Sequence, residues 1–246
     1  MNIPKKIHYC WFGRNPLPLS AQKCITSWRK FFPDHEIIEW NEDNFDVNSI
    51  PYTAQAYEAK KYAFVSDYAR FKILYEHGGI YFDTDVEVIK PFDDILSNGS
   101  FMGVEVEPSK NAPIAVAAGL GIGAEAGNPI YAEIITFYST LNFYLPDGNI
   151  NPYAVVRITT DFLLRHGLKQ ISGIQTVDNI IIYPSDYFNP LDDATGRLKK
   201  TSNTHSIHWY SKTWMEINPW RQKISRLIHR IFGTGFSSRV RRMLNI

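Results

Sequence analysis

Two aspartates one residue apart, Asp83 and Asp85, follow the short apolar run Ile80-Tyr81-Phe82 in this chain of 246 residues. Carboxylates so close together repel each other unless a cation sits between or beside them. If the extended geometry of the run persists, both lie on one side of the backbone. Hard oxygen ligands suit magnesium or manganese, ions usually held by one or two carboxylates plus the phosphates of a substrate. Upstream, Asp67 and Arg70 stand three residues apart and would share a helix face. Taken alone, Asp-x-Asp also reads as a solvated turn, and Asp67 with Arg70 as a surface ion pair. The two together, joined by a double glycine, form a far more specific pattern.

A helix and a strand must position these groups. Ser66 can cap the helix, Phe71, Leu74 and Tyr75 recur at helical spacing, and Gly78-Gly79 ends it where backbone of positive φ is cheap. Ile80, Tyr81 and Phe82 favour an extended chain, which continues from Val86 to Val88. Nearer the N-terminus, Lys6 to Phe12 is a strand candidate, Ser20 opens a helical pattern through Trp28 and Phe32, and Glu36 to Trp40 is a second strand. Strand, helix and strand in about forty residues begin a βαβ unit and predict an α/β fold with a mostly parallel sheet. Ligands of such sheets bind beyond the carboxyl ends of the strands. Trp11 follows the first strand and Asp83 to Asp85 a later one, so one sheet would bring an aromatic face and an acidic site to one edge. An indole can stack on a nucleobase, a contact worth about 1 kcal/mol. Core packing is an equal reading of Trp11, and His8 is read as a packed, hydrogen-bonded strand histidine.

Further along, Phe101 to Val104 and Ile180 to Tyr183 read as strands. Asn128-Pro129 starts a helix from Ile130 to Leu141, and Asn151-Pro152 precedes another. The stretch Ala115 to Gly127, with Gly119, Gly121, Gly123 and Gly127, lacks the spacing and lysine of a P-loop. It reads as strand and loop with close backbone approach.

Ser66-Asp67-x-x-Arg70 followed by Leu74-Tyr75-x-x-Gly78-Gly79-Ile80-Tyr81-x-Asp83-x-Asp85 resembles the signature of the Asp-x-Asp sugar transferases of glycosyltransferase family 32 type. That family includes yeast outer-chain mannosyltransferases, bacterial capsular and exopolysaccharide transferases and the catalytic domains of clostridial glucosylating toxins. Ile3 to Gly13 is similar to the family's opening strand, and Ile207-His208-Trp209-Tyr210-Ser211-Lys212-Thr213-Trp214 to its closing segment, so the resemblance covers roughly residues 1 to 214. It implies a Rossmann-like GT-A domain and a retaining, metal-dependent hexosyl transfer from a nucleotide-sugar, in the first place a UDP-hexose. By the same resemblance Asp85, Asp83 and His208 hold Mn2+ (or Mg2+). Trp11 lies on the uracil, Thr213 and Trp214 cover the diphosphate, and Asp67 and Arg70 hold the sugar hydroxyls and the departing phosphate. An imidazole among the ligands suits manganese better than magnesium. His205, three residues before His208, is read as a surface residue.

Bulk properties fit one catalytic domain, residues 1–216, with ample apolar content at 44% for a core. No run of eighteen apolar residues suggests a membrane span. Lys5 and Lys6 are followed by no apolar h-region, so a secretory signal is not expected. Cys10 and Cys24 have no metal-ligand spacing and read as reduced, partly buried thiols of a cytoplasmic protein. The net charge of +1 conceals an asymmetry: seven of the 26 basic residues follow Glu216, leaving 19 against all 25 acids, a balance of −6. The tail, residues 217–246, starts with Asn218 as N-cap and Pro219. It places Ile224, Leu227, Ile228, Ile231 and Phe232 on one apolar face of a basic helix. An anionic membrane surface at the inner face of the membrane and the acidic body of the protein itself are equal candidates to receive it. Nucleic acid fits poorly, because no aromatics interleave the basic run.

These readings predict transfer of a hexose to a saccharide or lipid-linked oligosaccharide acceptor in bacterial surface polysaccharide synthesis. A toxin-like protein glycosyltransferase, a metal-dependent nucleotide phosphoesterase and a carbohydrate-binding protein are the alternatives.

Overall fold

The computed structural model describes residues 3–211 and 226–227. Alternating strands and helices open the chain: β1 (Lys6–Cys10), α1 (Leu19–Phe31), β2 (Glu36–Trp40), α2 (Pro51–Glu58), α3 (Tyr62–His77) and β3 (Gly79–Tyr81). Then come β4 (Val86–Val88), α4 (Asp93–Leu96), β5 (Phe101–Val106), β6 (Ala115–Ala117), β7 (Ile122–Ala124), α5 (Pro129–Ser139) and α6 (Val155–Arg165). The last described elements are β8 (Gln175–Val177), β9 (Ile180–Tyr183), α7 (Ser185–Phe188), β10 (Leu191–Asp192), β11 (Arg197–Leu198) and β12 (Ser206–His208).

Among the described residues eight strands form the central sheet in the order β2-β1-β3-β7-β5-β9-β8, with β6 also paired to β5. The pairings β1–β2, β1–β3 and β5–β9 are parallel, and β7 lies antiparallel between β3 and β5. Strands β2, β1, β3, β5 and β9 therefore share one direction and open their carboxyl ends on one edge, as the α/β reading expects. Apart from this sheet, β12 pairs antiparallel with β4, and β10 with β11.

Helices cover both faces. On α1 the buried residues Ala21, Cys24, Ile25 and Trp28 form one stripe, the helical period at which an amphipathic helix meets a sheet. Trp28 is fully buried and its indole donates to the Val86 carbonyl at 2.8 Å. That bond ties α1 to β4, the strand after the acidic pair. The aromatic cluster around Trp28 includes Phe82, Phe92, Phe101 and Phe188. On the opposite face α3 buries Val65, Tyr68, Ala69, Phe71 and Leu74 against Tyr131, Ile134 and Tyr138 of α5.

The start of α3 differs from expectation. The helix begins at Tyr62, so Ser66 sits inside it and its hydroxyl donates to the Tyr62 carbonyl at 3.2 Å instead of capping the first turn. Its end is as expected, for Gly78 and Gly79 have φ of +60° and +99°. A Cβ on Gly79 would lie 2.8 Å from the Lys6 carbonyl oxygen, so only glycine lets β3 leave the helix and pair at once with β1.

Of the tail, Arg226 and Leu227 are described; they are helical, and Arg226 pairs with Asp193 at 2.9 Å. The remainder of the expected amphipathic helix lies outside the described residues.

Candidate active site

Helix α3 presents Asp67 and Arg70 inward. The Arg70 side chain is 4% exposed, and its Nη2 stands 2.8 Å from Asp67 Oδ1 and 3.2 Å from Asp83 Oδ1. Its Nε donates to the Ser66 carbonyl at 3.0 Å and its guanidinium lies 5.0 Å from the centre of the Tyr81 ring. The Tyr81 hydroxyl in turn donates to Asp83 Oδ1 at 3.1 Å. A buried guanidinium needs this many acceptors, since removing it from water is otherwise prohibitive. Burial opposes the Arg70 charge, but Asp83, Tyr81 and Asp67 outweigh it and raise the pKa. Burial pushes the Asp67 carboxyl up to about 7 against the pull of Arg70, and Asp83 adds to the push. The Asp67–Arg70 pair is thus an interior device and not a surface ion pair.

Strand β3 stops at Tyr81, and Asp83-Thr84-Asp85 is a turn closed by a bond from the Val86 N–H to the Asp83 carbonyl at 3.0 Å. The two carboxylates therefore do not converge through strand alternation, as the sequence reading has it. The turn and its partners gather them. Against Asp83 runs the backbone of Gly119, where a Cβ would fall on Asp83 Oδ2 and lie 3.2 Å from Arg70 Nη1. That is the close backbone approach expected of the glycine-rich stretch.

Asp85 is bound from the far end of the chain. Pairing of β12 with β4 sets His208 opposite Val86, and His208 Nε2 lies 3.0 Å from Asp85 Oδ1. Ser211 donates to Asp85 Oδ2 through its N–H at 2.8 Å and its hydroxyl at 3.0 Å. The Trp209 N–H donates to the Asp85 carbonyl at 3.0 Å. Burial works to raise the Asp85 carboxyl, but the His208 charge and the bonds from His208 and Ser211 prevail and hold it at about 2. For His208, burial disfavours the imidazolium, while Asp85, then Asp83 and Glu105, raise its pKa overall.

One donor atom each from Asp83, Asp85 and His208 lie within 4.8 Å of one another. Two carboxylates and an imidazole at this separation fit a divalent ion, and a mixed oxygen and nitrogen set fits manganese better than magnesium. The gathered donor atoms, on a shared edge with the carboxyl ends of β1 and β3, are the observation that supports an ion here. A cleft of about 280 Å³ opens beside Asp85, bordered by Lys23, Glu87, Trp209 and Ser211.

Trp11 stands just beyond β1, half-buried, with its indole donating to the Asn15 carbonyl at 2.6 Å. The parallel register, His8 opposite Tyr81 and Cys10 opposite Trp40, puts Trp11 and Asp83 at the same sheet edge. Thr213 and Trp214 lie outside the described residues.

His8 is a packed strand histidine, as expected. Its Nε2 donates to the Gly78 carbonyl at 3.0 Å while Nδ1 accepts from the Trp40 indole at 3.0 Å. Those partners fit the neutral ring, and burial, the largest influence, lowers its pKa to about 4. His205 corrects the sequence reading. It is fully buried, stacked on Tyr187 and bonded through Nε2 to Asp94 Oδ1 at 2.9 Å. Tyr81, Gly119 and Ser211 complete the site without having been singled out as site residues. Tyr81 had a legible signal, two positions before Asp83 on a strand; Ser211 lay in the segment similar to the family's closing one, but its bond to Asp85, 126 residues away, had none.

An α/β fold with a carboxylate and imidazole cluster at the carboxyl edge of its parallel strands defines the class. Within it, residues 18–102 match the family described as glycosyltransferase sugar-binding region containing DXD motif. The chain carries that region, which includes Asp67, Arg70, Asp83 and Asp85. The chain is similar to inositol phosphoceramide mannosyltransferase 1 of Schizosaccharomyces pombe, 30% identical over 122 residues covering 43% of this chain and 35% of the relative. An uncharacterized glycosyltransferase of Acanthamoeba polyphaga mimivirus is 27% identical over 194 residues, 76% of this chain and 73% of the relative. Among solved structures, the PaToxG glycosyltransferase aligns with a TM-score of 0.48 and 21% identity, over 66% of this chain and 69% of that one. The chain thus spans about a third of the length of the fungal relative. Among the described residues no helix is long and apolar enough to cross a membrane.

Proposed function

We propose that the chain is a metal-dependent, retaining glycosyltransferase that moves a hexose from a nucleotide-sugar, of the UDP-sugar type, to a saccharide acceptor. The observation that carries this reading is the Asp83, Asp85 and His208 cluster beside the buried Asp67–Arg70 pair. Asp85, Asp83 and His208 would hold Mn2+, or Mg2+, which supplies Lewis-acid stabilisation of the leaving diphosphate when bound. Arg70 and Asp67 orient the sugar hydroxyls, and the Arg70 charge faces the departing phosphate. Trp11 supports the base, and Thr213 and Trp214 cover the diphosphate. Attack proceeds on the face that the leaving group vacates, through an oxocarbenium-like state, and the departing phosphate accepts the acceptor's proton.

The acceptor is a saccharide or lipid-linked oligosaccharide of bacterial surface polysaccharide synthesis, and the receiver of the basic tail is either anionic lipid at the inner membrane face or the acidic body, where Arg226 pairs with Asp193. The names of the fungal relatives carry mannosyl transfer, which brings GDP-mannose into the test.

Titration with UDP-glucose, UDP-galactose, UDP-N-acetylglucosamine and GDP-mannose, with and without manganese, measures binding and slow donor hydrolysis. Manganese-dependent selection of one donor, lost in Asp85→Ala, is the expected result. Binding of no donor under any metal condition overturns the reading. Release of sugar phosphate with nucleoside monophosphate, instead of sugar with nucleoside diphosphate, makes the chain a phosphoesterase.

A further inference from the structure

The segment that delivers His208 and Ser211 to Asp85 bends sharply between them. Tyr210 has φ of +51°, a left-handed conformation that costs a residue with a Cβ about 1–2 kcal/mol. Such a residue persists where its surroundings fix it. Three contacts do so here, one of them the Asn189 side chain beside the hydroxyl. The Tyr210 hydroxyl donates to Glu105 Oε1 at 3.1 Å, and its ring meets the His208 imidazole edge-on, with centroids 4.2 Å apart and planes at 72°. Glu105 lies on β5, a strand of the central sheet, whereas among the described residues β12 pairs only with β4 outside that sheet. The Tyr210–Glu105 bond is therefore a direct tie from the bend to the main sheet.

The imidazole itself needs this tie. Histidines that hold a metal are usually oriented by a hydrogen bond from the second ring nitrogen. Among the described residues His208 Nδ1 is buried and has no such partner. The ring of Tyr210 supplies the packing that sets the plane of His208. Left-handed backbone at Tyr210 also turns the chain so that Ser211 returns both of its donors to Asp85.

We propose that Glu105 and Tyr210 form a clasp that positions His208 and Ser211 around Asp85, with Glu105 and Tyr210 acting as positioning residues for the ion. The second half of this inference rests on the metal-dependent reading above; the clasp itself does not.

Two measurements on the full chain separate them. Hydrogen exchange by NMR follows the Trp209 and Ser211 amides, both of which donate to Asp85, and manganese electron paramagnetic resonance follows ion binding. Tyr210→Phe removes only the hydroxyl, Glu105→Ala the acceptor, and Glu105→Gln retains an acceptor oxygen. The clasp predicts that the first two variants speed exchange at both amides about tenfold and weaken Mn2+ about fivefold to tenfold. Their double variant is no worse than either single one, and Glu105→Gln stays close to the wild type. Unchanged exchange in Tyr210→Phe and Glu105→Ala overturns the clasp. If wild type takes up no Mn2+ while exchange still responds, the metal role falls and the clasp stands. Faster exchange with Mn2+ affinity unchanged removes the positioning role.

Discussion

Arg70 and Asp83 meet at 3.2 Å through the same guanidinium nitrogen that Arg70 gives to Asp67 at 2.8 Å. The acidic turn is thereby fastened to helix α3 by a cation that solvent barely reaches.

Removing that cation strands two carboxylates in a poorly solvated place. Breaking a buried ion pair from one side costs about 3–5 kcal/mol, so Arg70→Met is expected to lower the melting temperature by roughly 10 °C. Arg70→Lys does not restore it, because one ammonium cannot reproduce a planar fork shared between two acids. A melting curve of Arg70→Met that overlays the wild type refutes this account.

His8 provides a pH-dependent term. Its pKa is about 4 in the folded chain against 6.5 as the ordinary value. The unfolded chain therefore binds the proton first, and the stabilisation is complete above pH 6.5 and lost as pH falls toward 4. Asp67, raised to about 7 from 3.8, acts oppositely, for there the folded chain binds the proton first and stability falls as pH rises from about 4 to 7. The two overlap, so the measurement is the stability of wild type minus that of His8→Gln by urea denaturation, in which the Asp67 contribution cancels. That difference should shrink by on the order of 2–3 kcal/mol between pH 7 and 4.5. A difference that does not vary with pH contradicts a neutral His8.

Gly119 separates folding from ion binding. An added methyl group displaces the Asp83 carboxylate from Arg70 and Tyr81, yet it meets the end of a side chain and not rigid backbone. Gly119→Ala should cost no more than about 2 kcal/mol of stability. On the proposed metal role it should also weaken Mn2+ binding by about tenfold in calorimetric titration. Wild-type affinity in that variant would show that Asp83 can move without consequence for the ion.

Trp11 tests the nucleotide reading. Loss of a stacking indole costs about 1–3 kcal/mol, so Trp11→Ala should weaken binding of the nucleoside diphosphate by roughly tenfold or more, and Trp11→Phe by much less. Equal affinity in all three proteins assigns Trp11 to packing alone.

What could be read from the chain follows the range of the forces involved. Glu36–Trp40 emerges as a strand with the bounds read from its residues, and Asn128 caps α5 by accepting from the Ile130 N–H. Both depend on neighbours a few positions away. Ser66 misled because a serine caps a helix or bonds back within one with equal ease, and residues 62–65 decide which. His205 misled for a different reason. Its ring packs against Phe92 and Tyr187 and bonds to Asp94, 111 positions away, and no local pattern announces such partners. The acidic pair was legible as chemistry and the close approach of the glycine-rich stretch as geometry, while the turn that shapes the pair, the meeting of Gly119 with Asp83 and the bond from Ser211 became visible only with the chain folded.

Pairing of β12 with β4 has a consequence for the order in which the protein is made. Synthesis delivers Asp83 and Asp85 first, and Ser211 follows Asp85 by 126 residues. While the chain is still on the ribosome, the acidic turn emerges with Arg70 already beside it but without His208 or Ser211. A nascent chain stopped after residue 204 holds every strand of the central sheet described above and still lacks the three-residue cluster. Completion of the site is thus a late event of translation, and a chain cut short there is left with the two acids and neither His208 nor Ser211 to bind Asp85.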